Sequence, residues 1–207
     1  MLTVGLTGGI ATGKSTVAGL LEAHGCRLFH ADRIAHEQIA PGGPAYDAVV
    51  DSFGPEIVNS DGAIDRARLG AIVFADPARL EHLNSLIHPH VLALTEHEIK
   101  QFEQSHPDGI FVAEAALHIE IDYHRRFDKL IVTWCPPEQQ LERLLARGNL
   151  TQEAAEQRLH SQMPAESKKE YADYLVDCSG TLAETEEQVA RIYQELQGLA
   201  QSSGPEG

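Results

Sequence analysis

Cationic side chains are scarce: 207 residues carry 16 Lys and Arg against 31 Asp and Glu, a formal net charge of −15. Nucleic acid and anionic membrane are held by net positive surfaces, so neither suits this chain as a partner. Cysteine is sparse too. Cys26, Cys135 and Cys178 lie far apart with no C-x-x-C pair, which argues against a disulfide framework or a zinc knuckle. No apolar run approaches a membrane span, and the opening MLTVGLTGG lacks the basic start of a signal peptide. A reducing, cytoplasmic setting is the expectation. There is no internal repeat and no long linker. What remains, 43% apolar and 23% charged residues, is ordinary globular material, long enough for one domain with subdomain insertions. A small polyanionic ligand stays open, since it needs only a locally positive pocket.

The chain opens with an apolar strand, Leu2 to Thr7, a glycine-rich turn, and a helix from Lys14 to His24. Val17, Leu20 and Leu21 recur there at helical spacing, and Gly25 suits the position just past the helix end. Cys26 to His30 reads as a second strand, stopping just before Asp32. Strand, loop, helix and strand in this order predict a parallel α/β sheet. Ile34 to about His106 is largely helical, with Asp65 and Asp76 as N-caps and Pro77 at a first helical position. His88-Pro89 should break the helix that precedes it. Strands return at Gly109 to Ala113, Lys129 to Trp134 and Tyr174 to Val176, with helices at Pro137 to Arg147, Thr151 to Gln162 and Thr181 to Leu199. Thr181 and Glu184 form a capping-box pattern.

Gly8-Gly9-Ile10-Ala11-Thr12-Gly13-Lys14-Ser15 matches G-x-x-x-x-G-K-S/T in full, with a strand before it and a helix after it. The glycines let the backbone curl until successive N–H groups converge on phosphate oxygens, and the helix presents its positive end to the same anion. Lys14 reaches the β- and γ-phosphates, and Ser15 is placed to ligate Mg²⁺. Gly8, Gly9, Ala11, Thr12, Gly13, Lys14, Ser15 and Thr16 are therefore the expected ATP-binding residues. A regulatory GTPase is disfavoured, because NKxD is absent and the early DxxG at Asp51 to Gly54 follows no strand pattern. Gly109 to Glu114 is only a loose version of a Walker B strand, so a motor or transporter ATPase fits poorly. A small-molecule kinase, with an acceptor site and a water-excluding lid, fits better. His36-Glu37 and His97-Glu98 are not zincin pairs, since Ala40 and Gln101 stand where a second histidine would be.

Several further segments are specific. They are His30-Ala31-Asp32, Phe53-Gly54, DGAIDR (Asp61 to Arg66), LNSLIHPHV (Leu83 to Val91), the series Gln140, Arg143, Arg147, then Gln162 and ADYLVD (Ala172 to Asp177). With GLTGGIATGKSTVA, they resemble the dephospho-coenzyme A kinase family from Thr3 to about Val189. The resemblance implies ATP-dependent phosphorylation of the ribose 3′-hydroxyl of dephospho-CoA to give coenzyme A, with Mg²⁺. It implies a three-layer P-loop fold with a parallel central sheet, a helical acceptor-binding insertion and a short helical lid. Residues 1–33, 107–147 and 171–200 would form the nucleotide-binding core. Residues 34–106 would form the insertion, 148–170 the lid and 201–207 a flexible tail. ATP and dephospho-CoA are the implied partners, and a monomer or weak homo-oligomer is expected.

Residue roles follow from the same resemblance. Asp32 is the implied general base, although a carboxylate there also suits the N-cap of the next helix. Arg143 would face the transferring phosphate and Arg147 would begin the lid. Lying four apart, they share a helix face that is either ATP-facing or a solvated edge. Five basic and three acidic residues lie between Arg143 and Lys169, a locally positive stretch in an acidic chain. His88 belongs to the acceptor region by resemblance, or simply caps the helix before Pro89. Arg66 pairs with Asp65, a helix C-terminus or the acceptor. Ala116 to Glu120 resembles an acceptor wall in which Glu120 is kept, while Ala116, His118 and Ile119 depart from the family pattern. His30 replaces the first carboxylate of the usual Asp-Ala-Asp, and Cys178 stands where Asn is common near the adenine pocket. Another nucleoside or nucleotide kinase, or a low-turnover ATP-binding module, is the alternative.

Overall fold

The computed structural model describes residues 1–148 and 150–202. Asn149 and residues 203–207, which include most of the expected tail, lie outside the described residues. The strands are β1 (Leu2–Gly8), β2 (Arg27–His30), β3 (Ile110–Glu114), β4 (Lys129–Trp134) and β5 (Tyr174–Asp177). They form one parallel sheet in the order β2-β3-β1-β4-β5. The helices are α1 (Lys14–Ala23), α2 (Ala31–Gln38), α3 (Tyr46–Phe53), α4 (Arg66–Val73), α5 (Pro77–Ser105), α6 (Pro137–Ala146), α7 (Gln152–His160), α8 (Ala165–Lys168) and α9 (Leu182–Ser202). The parallel α/β class expected from the sequence is the one that forms.

The chain folds as two compact units, Met1–His30 with Glu98–Gly207, and Ala31–His97. The first carries the sheet. Leu2, Val4 and Leu6 alternate onto one face, where they join Val17 and Leu21 of α1 and Val189, Ile192 and Leu196 of α9 in a single core. On the other face a Cβ at Gly5 would stand 2.6 Å from the Phe127 ring and 2.9 Å from Leu130, so glycine is what lets those side chains lie on β1. Leu130 and Val132 pack there with Ile119 and Met163. Both faces are thus covered, as an all-parallel sheet requires. Each fully buried Val, Leu or Ile in these layers stabilises the fold by roughly 1.5–3 kcal/mol.

The ends of the helices follow the sequence closely. Gly25 adopts a left-handed φ of 101° one residue past the α1 C-cap. Thr181 and Glu184 close a reciprocal capping box at α9: the Thr181 N–H donates to Glu184 at 2.7 Å and the Glu184 N–H to Thr181 at 3.3 Å. In the second unit Asp65 caps α4, accepting from Ala67 N at 2.9 Å and Arg68 N at 3.1 Å. One expectation is corrected there: His88-Pro89 breaks nothing, and α5 runs 29 residues with Pro89 inside it. Pro89 removes one intrahelical hydrogen bond, at a cost of about 3 kcal/mol. The four-residue spacing of buried Leu83, Ile87, Val91 and Thr95 on either side of it holds the helix together.

Candidate active site

The loop between β1 and α1 is held from three directions. Thr12 Oγ1 bonds Gly9 O at 2.8 Å and Thr133 Oγ1, at the end of β4, at 2.7 Å. Gln140 of α6 donates to Ile10 O at 2.7 Å, and Gln162 accepts from Ile10 N at 3.1 Å. Close packing explains the glycines. A Cβ at Gly8 would meet Thr133 Oγ1 at 2.1 Å, one at Gly9 would meet Gln140 Nε2 at 2.7 Å, and one at Gly13 would meet Cys178 Sγ at 2.9 Å. Ala11 takes a left-handed φ of 60°, which curls the loop at the cost of some strain. Ser15 and Thr16 lie exposed in the first turn of α1, where the leading amides have no intrahelical acceptor. The expected ATP-binding residues from Gly8 to Thr16 lie on this loop and in the first turn of α1, and Arg147 lies at the end of α6.

Lys14 reaches across to the end of β3, where its Nζ lies 2.8 Å from Glu114 Oε1. The other carboxylate oxygen is 2.5 Å from His30 Nδ1, at the end of β2. Parallel register brings these residues together, since Glu114 is aligned with His30 on one side and Leu6 on the other. Burial pushes the Glu114 carboxyl up, but Lys14 and His30 outweigh it and hold it below the usual carboxylate range. Glu114 is the site residue that the sequence reading missed. Its signal was present: an apolar strand, IFVA, that ends on an acid at the carboxyl edge of the sheet, where ligands of open α/β sheets bind. The contact of His30 with this carboxylate was missed as well.

Beside the loop lies a cavity of about 450 Å³ bordered by Gly13, Thr16, Arg143, Arg147 and Cys178. Arg143 donates to Cys178 O at 2.7 Å, so it belongs to the inner wall and not to a solvated helix edge. Its guanidinium has further donors to offer an anion. Cys135 and Cys178 follow the paired ends of β4 and β5, and both are buried. Burial, followed by the neighbouring Cys135, pushes the Cys178 thiol up to about 11.

The second unit gathers a different set. Asp32 is the second residue of α2, not the residue before it, so the N-cap alternative does not apply. Its charge acts on both His36 and His88. Burial pushes the His88 imidazole below the usual range against the pull of Asp32. Loss of water and then the Arg66 charge do the same to His36. Asp65 spends its carboxylate on the α4 amides and on Arg68 at 3.3 Å, which leaves Arg66 to this cluster. His36, set aside in sequence as half of a zincin pair, is therefore grouped with three expected site residues. Glu120, in the first unit, accepts from Met163 N at 3.1 Å and pairs with Lys168 at 2.8 Å.

A phosphate loop on a parallel sheet, a lysine held by a strand-end carboxylate, and an arginine-walled cavity place the molecule among the P-loop kinases. Solved structures agree on the fold: shikimate kinase from Acinetobacter baumannii matches with a TM-score of 0.50 at 18% identity, covering 96% of this chain and 94% of that one. The sequence model of dephospho-CoA kinase matches residues 2–184, and the chain belongs to that family. A dephospho-CoA kinase of Carboxydothermus hydrogenoformans is 44% identical over 191 residues, 92% of each chain. One from Syntrophus aciditrophicus is 40% identical over 196 residues, 95% of this chain and 83% of that one. The structure of dephospho-CoA kinase from Campylobacter jejuni aligns with a TM-score of 0.60 at 27% identity, covering 94% of this chain and 96% of that one.

Proposed function

We propose that the chain transfers the γ-phosphoryl group of ATP to the ribose 3′-hydroxyl of dephospho-CoA, giving ADP and coenzyme A. The observation that carries this reading is the Lys14–Glu114 contact at the mouth of a complete phosphate loop, within a family match that spans residues 2–184. Phosphoryl transfer passes through a loose transition state, so positioning and charge neutralisation do most of the work. Lys14 leaves Glu114 for the β- and γ-phosphates, and the loop amides close around them. Arg143, fixed by Cys178 O, neutralises charge that develops on the transferring group, with Arg147 beside it. Asp32, two residues past β2, orients the 3′-hydroxyl and takes its proton. Arg66 and His88 bind the acceptor, His88 as a neutral imidazole.

The donor set suits Mg²⁺, which takes hard oxygen ligands and keeps several waters. Ser15 offers an exposed hydroxyl in the first turn of α1, and the Glu114 carboxylate adds an anionic oxygen donor at the same sheet edge. Bound with ATP, the ion supplies neutralisation of the phosphate charge. Residues 148–170 act as the lid, 34–106 as the acceptor-binding insertion, and the remaining core as the nucleotide site. No helix among the described residues is long and apolar enough to cross a membrane. We place the enzyme in the cytoplasm, as a monomer or weak homo-oligomer. A coupled assay of ADP release tests the reading: turnover that depends on dephospho-CoA supports it. Saturating ATP–Mg²⁺ with no acceptor-dependent release would sink it.

A further inference from the structure

We propose that Lys168 and Glu120 are a positioning pair for phosphoryl transfer, fixing the loop after β3 against the phosphate loop through the segment 162–168.

The Lys168 side chain is 0% exposed. Burying an ammonium costs several kcal/mol even when it is paired, and an apolar side chain would fill the same space more cheaply. What the charge gains is direction. Its Nζ donates to Ala116 O at 2.6 Å and lies 2.8 Å from Glu120 Oε1, so one cation ties together both ends of the segment Ala116 to Glu120. Ala116 O also accepts from Thr7 Oγ1 at 3.1 Å, and Thr7 immediately precedes Gly8. Glu120 Oε1 also accepts the Met163 N–H at 3.1 Å.

The same short segment reaches the phosphate loop directly. Gln162 takes the Ile10 N–H at 3.1 Å, and Ala165 packs so close to Gly9 that a Cβ there would be 3.2 Å from its methyl. Residues 162–168 therefore grip the phosphate loop at Gly9 and Ile10, and the loop after β3 at Ala116 and Glu120. Glu114, which holds Lys14, lies two residues before Ala116. A shift of this loop moves the carboxylate that sets the phosphate-binding lysine, and displacing reacting groups by about 1 Å costs on the order of 100-fold in rate.

The proposal rests on the kinase reading, so wild-type turnover with dephospho-CoA is the first measurement. Its absence overturns both. With the wild type active, Lys168→Met is expected to lower the melting temperature and to lower kcat about 100-fold. Lys168→Met with Glu120→Leu removes both charges and leaves no uncompensated buried ion, so it restores the melting temperature. Its kcat is expected to stay about 100-fold down, with the Kd for ATP within about threefold of wild type. A double variant that regains both stability and kcat shows a purely structural pair and overturns the proposal. Glu120→Gln decides the matter should the double variant not fold. It keeps an oxygen for Met163 N–H while removing the charge. A kcat about 10-fold lower at unchanged ATP affinity supports the pair, and a wild-type kcat overturns it.

Discussion

Lys14 Nζ lies 2.8 Å from Glu114 Oε1, both side chains being largely buried, at 13% and 7% exposure. The cation proposed to bind phosphate is thus held by a carboxylate of the protein itself. Because Glu114 titrates lower in the folded chain than in the unfolded one, the folded state binds fewer protons. Its contribution is complete above the unfolded value, about 4.3, and is lost as pH falls through the folded value. Glu114→Gln is therefore expected to destabilise the nucleotide-free protein by roughly 3 kcal/mol at neutral pH. That gap should narrow progressively below about pH 4.3. Urea unfolding of both proteins across this range checks it, and a gap that did not change with pH would contradict the ionic contact.

Two glycines six positions apart, Gly13 and Gly19, give opposite expectations. Gly13 has φ 101°, and an added Cβ would stand 2.9 Å from Cys178 Cβ and Sγ. Left-handed backbone costs an L-residue about 1–2 kcal/mol, and the collision adds to it. Gly13→Ala should lose at least about 2 kcal/mol of stability and most of the thermal shift that ATP confers. Gly19 lies in the middle of α1 with open space around its Cβ position. Gly19→Ala should raise stability by roughly 0.5–1 kcal/mol and leave the ATP shift intact. Thermal unfolding with and without ATP separates the two.

Arg143 does two things at once in the proposed mechanism: it donates to Cys178 O at 2.7 Å and faces the cavity. A planar guanidinium with five donors can serve both, whereas an ammonium is a point charge on a shorter reach. Arg143→Lys is therefore expected to lower kcat about 100-fold with little change in the melting temperature. Steady-state assay and calorimetry on the same preparation test this. A lysine variant of near-normal kcat would show that only charge matters at this position.

The sheet and the phosphate loop were legible because their signals are local. The apolar run Leu2 to Thr7, the complete loop motif, and caps at Asp65 and Thr181 each need only a few neighbouring residues. Pro89 misled because the residues that keep α5 intact are spread over Leu83 to Thr95, a burial pattern that outweighs one lost hydrogen bond. For Glu114 the local signal, an acid at the end of IFVA, was present but its pairing was not: its partners, Lys14 and His30, are 100 and 84 residues away in sequence, and only the β2-β3-β1 order joins them. Lys168 read as one more lid cation, since nothing in a polar helical stretch announces a side chain with no exposure.

Asp32 is expected to act on the chemical step and not on nucleotide binding. It sits in the opening turn of α2, outside the phosphate loop itself, and its charge acts on His36 and His88. Removing a general base lowers rate by about 100- to 10,000-fold, and the lower end suits a loose transition state that needs little proton removal. Asp32→Asn should thus lower kcat about 100-fold while the Kd for ATP stays within about threefold. Equal losses in both would assign Asp32 a structural role.

The cysteines should be unreactive in the folded protein even though one of them, Cys178, borders the cavity beside the phosphate loop. Cys26, Cys135 and Cys178 are all buried. Burial pushes the Cys26 thiol up to about 12 and, with Cys135 adding to it, the Cys178 thiol up to about 11. The attacking species is the thiolate, and at pH 8 a thiol near 11 is ionised to only about one part in a thousand. Iodoacetamide at pH 8 is therefore expected to leave all three unlabelled over hours in the native state, and to label all three in guanidinium. Mass spectrometry of the intact chain counts the adducts. Rapid native labelling of Cys178 would mean that its contact with Gly13 opens in solution, and the steric argument for glycine at that position would fail with it.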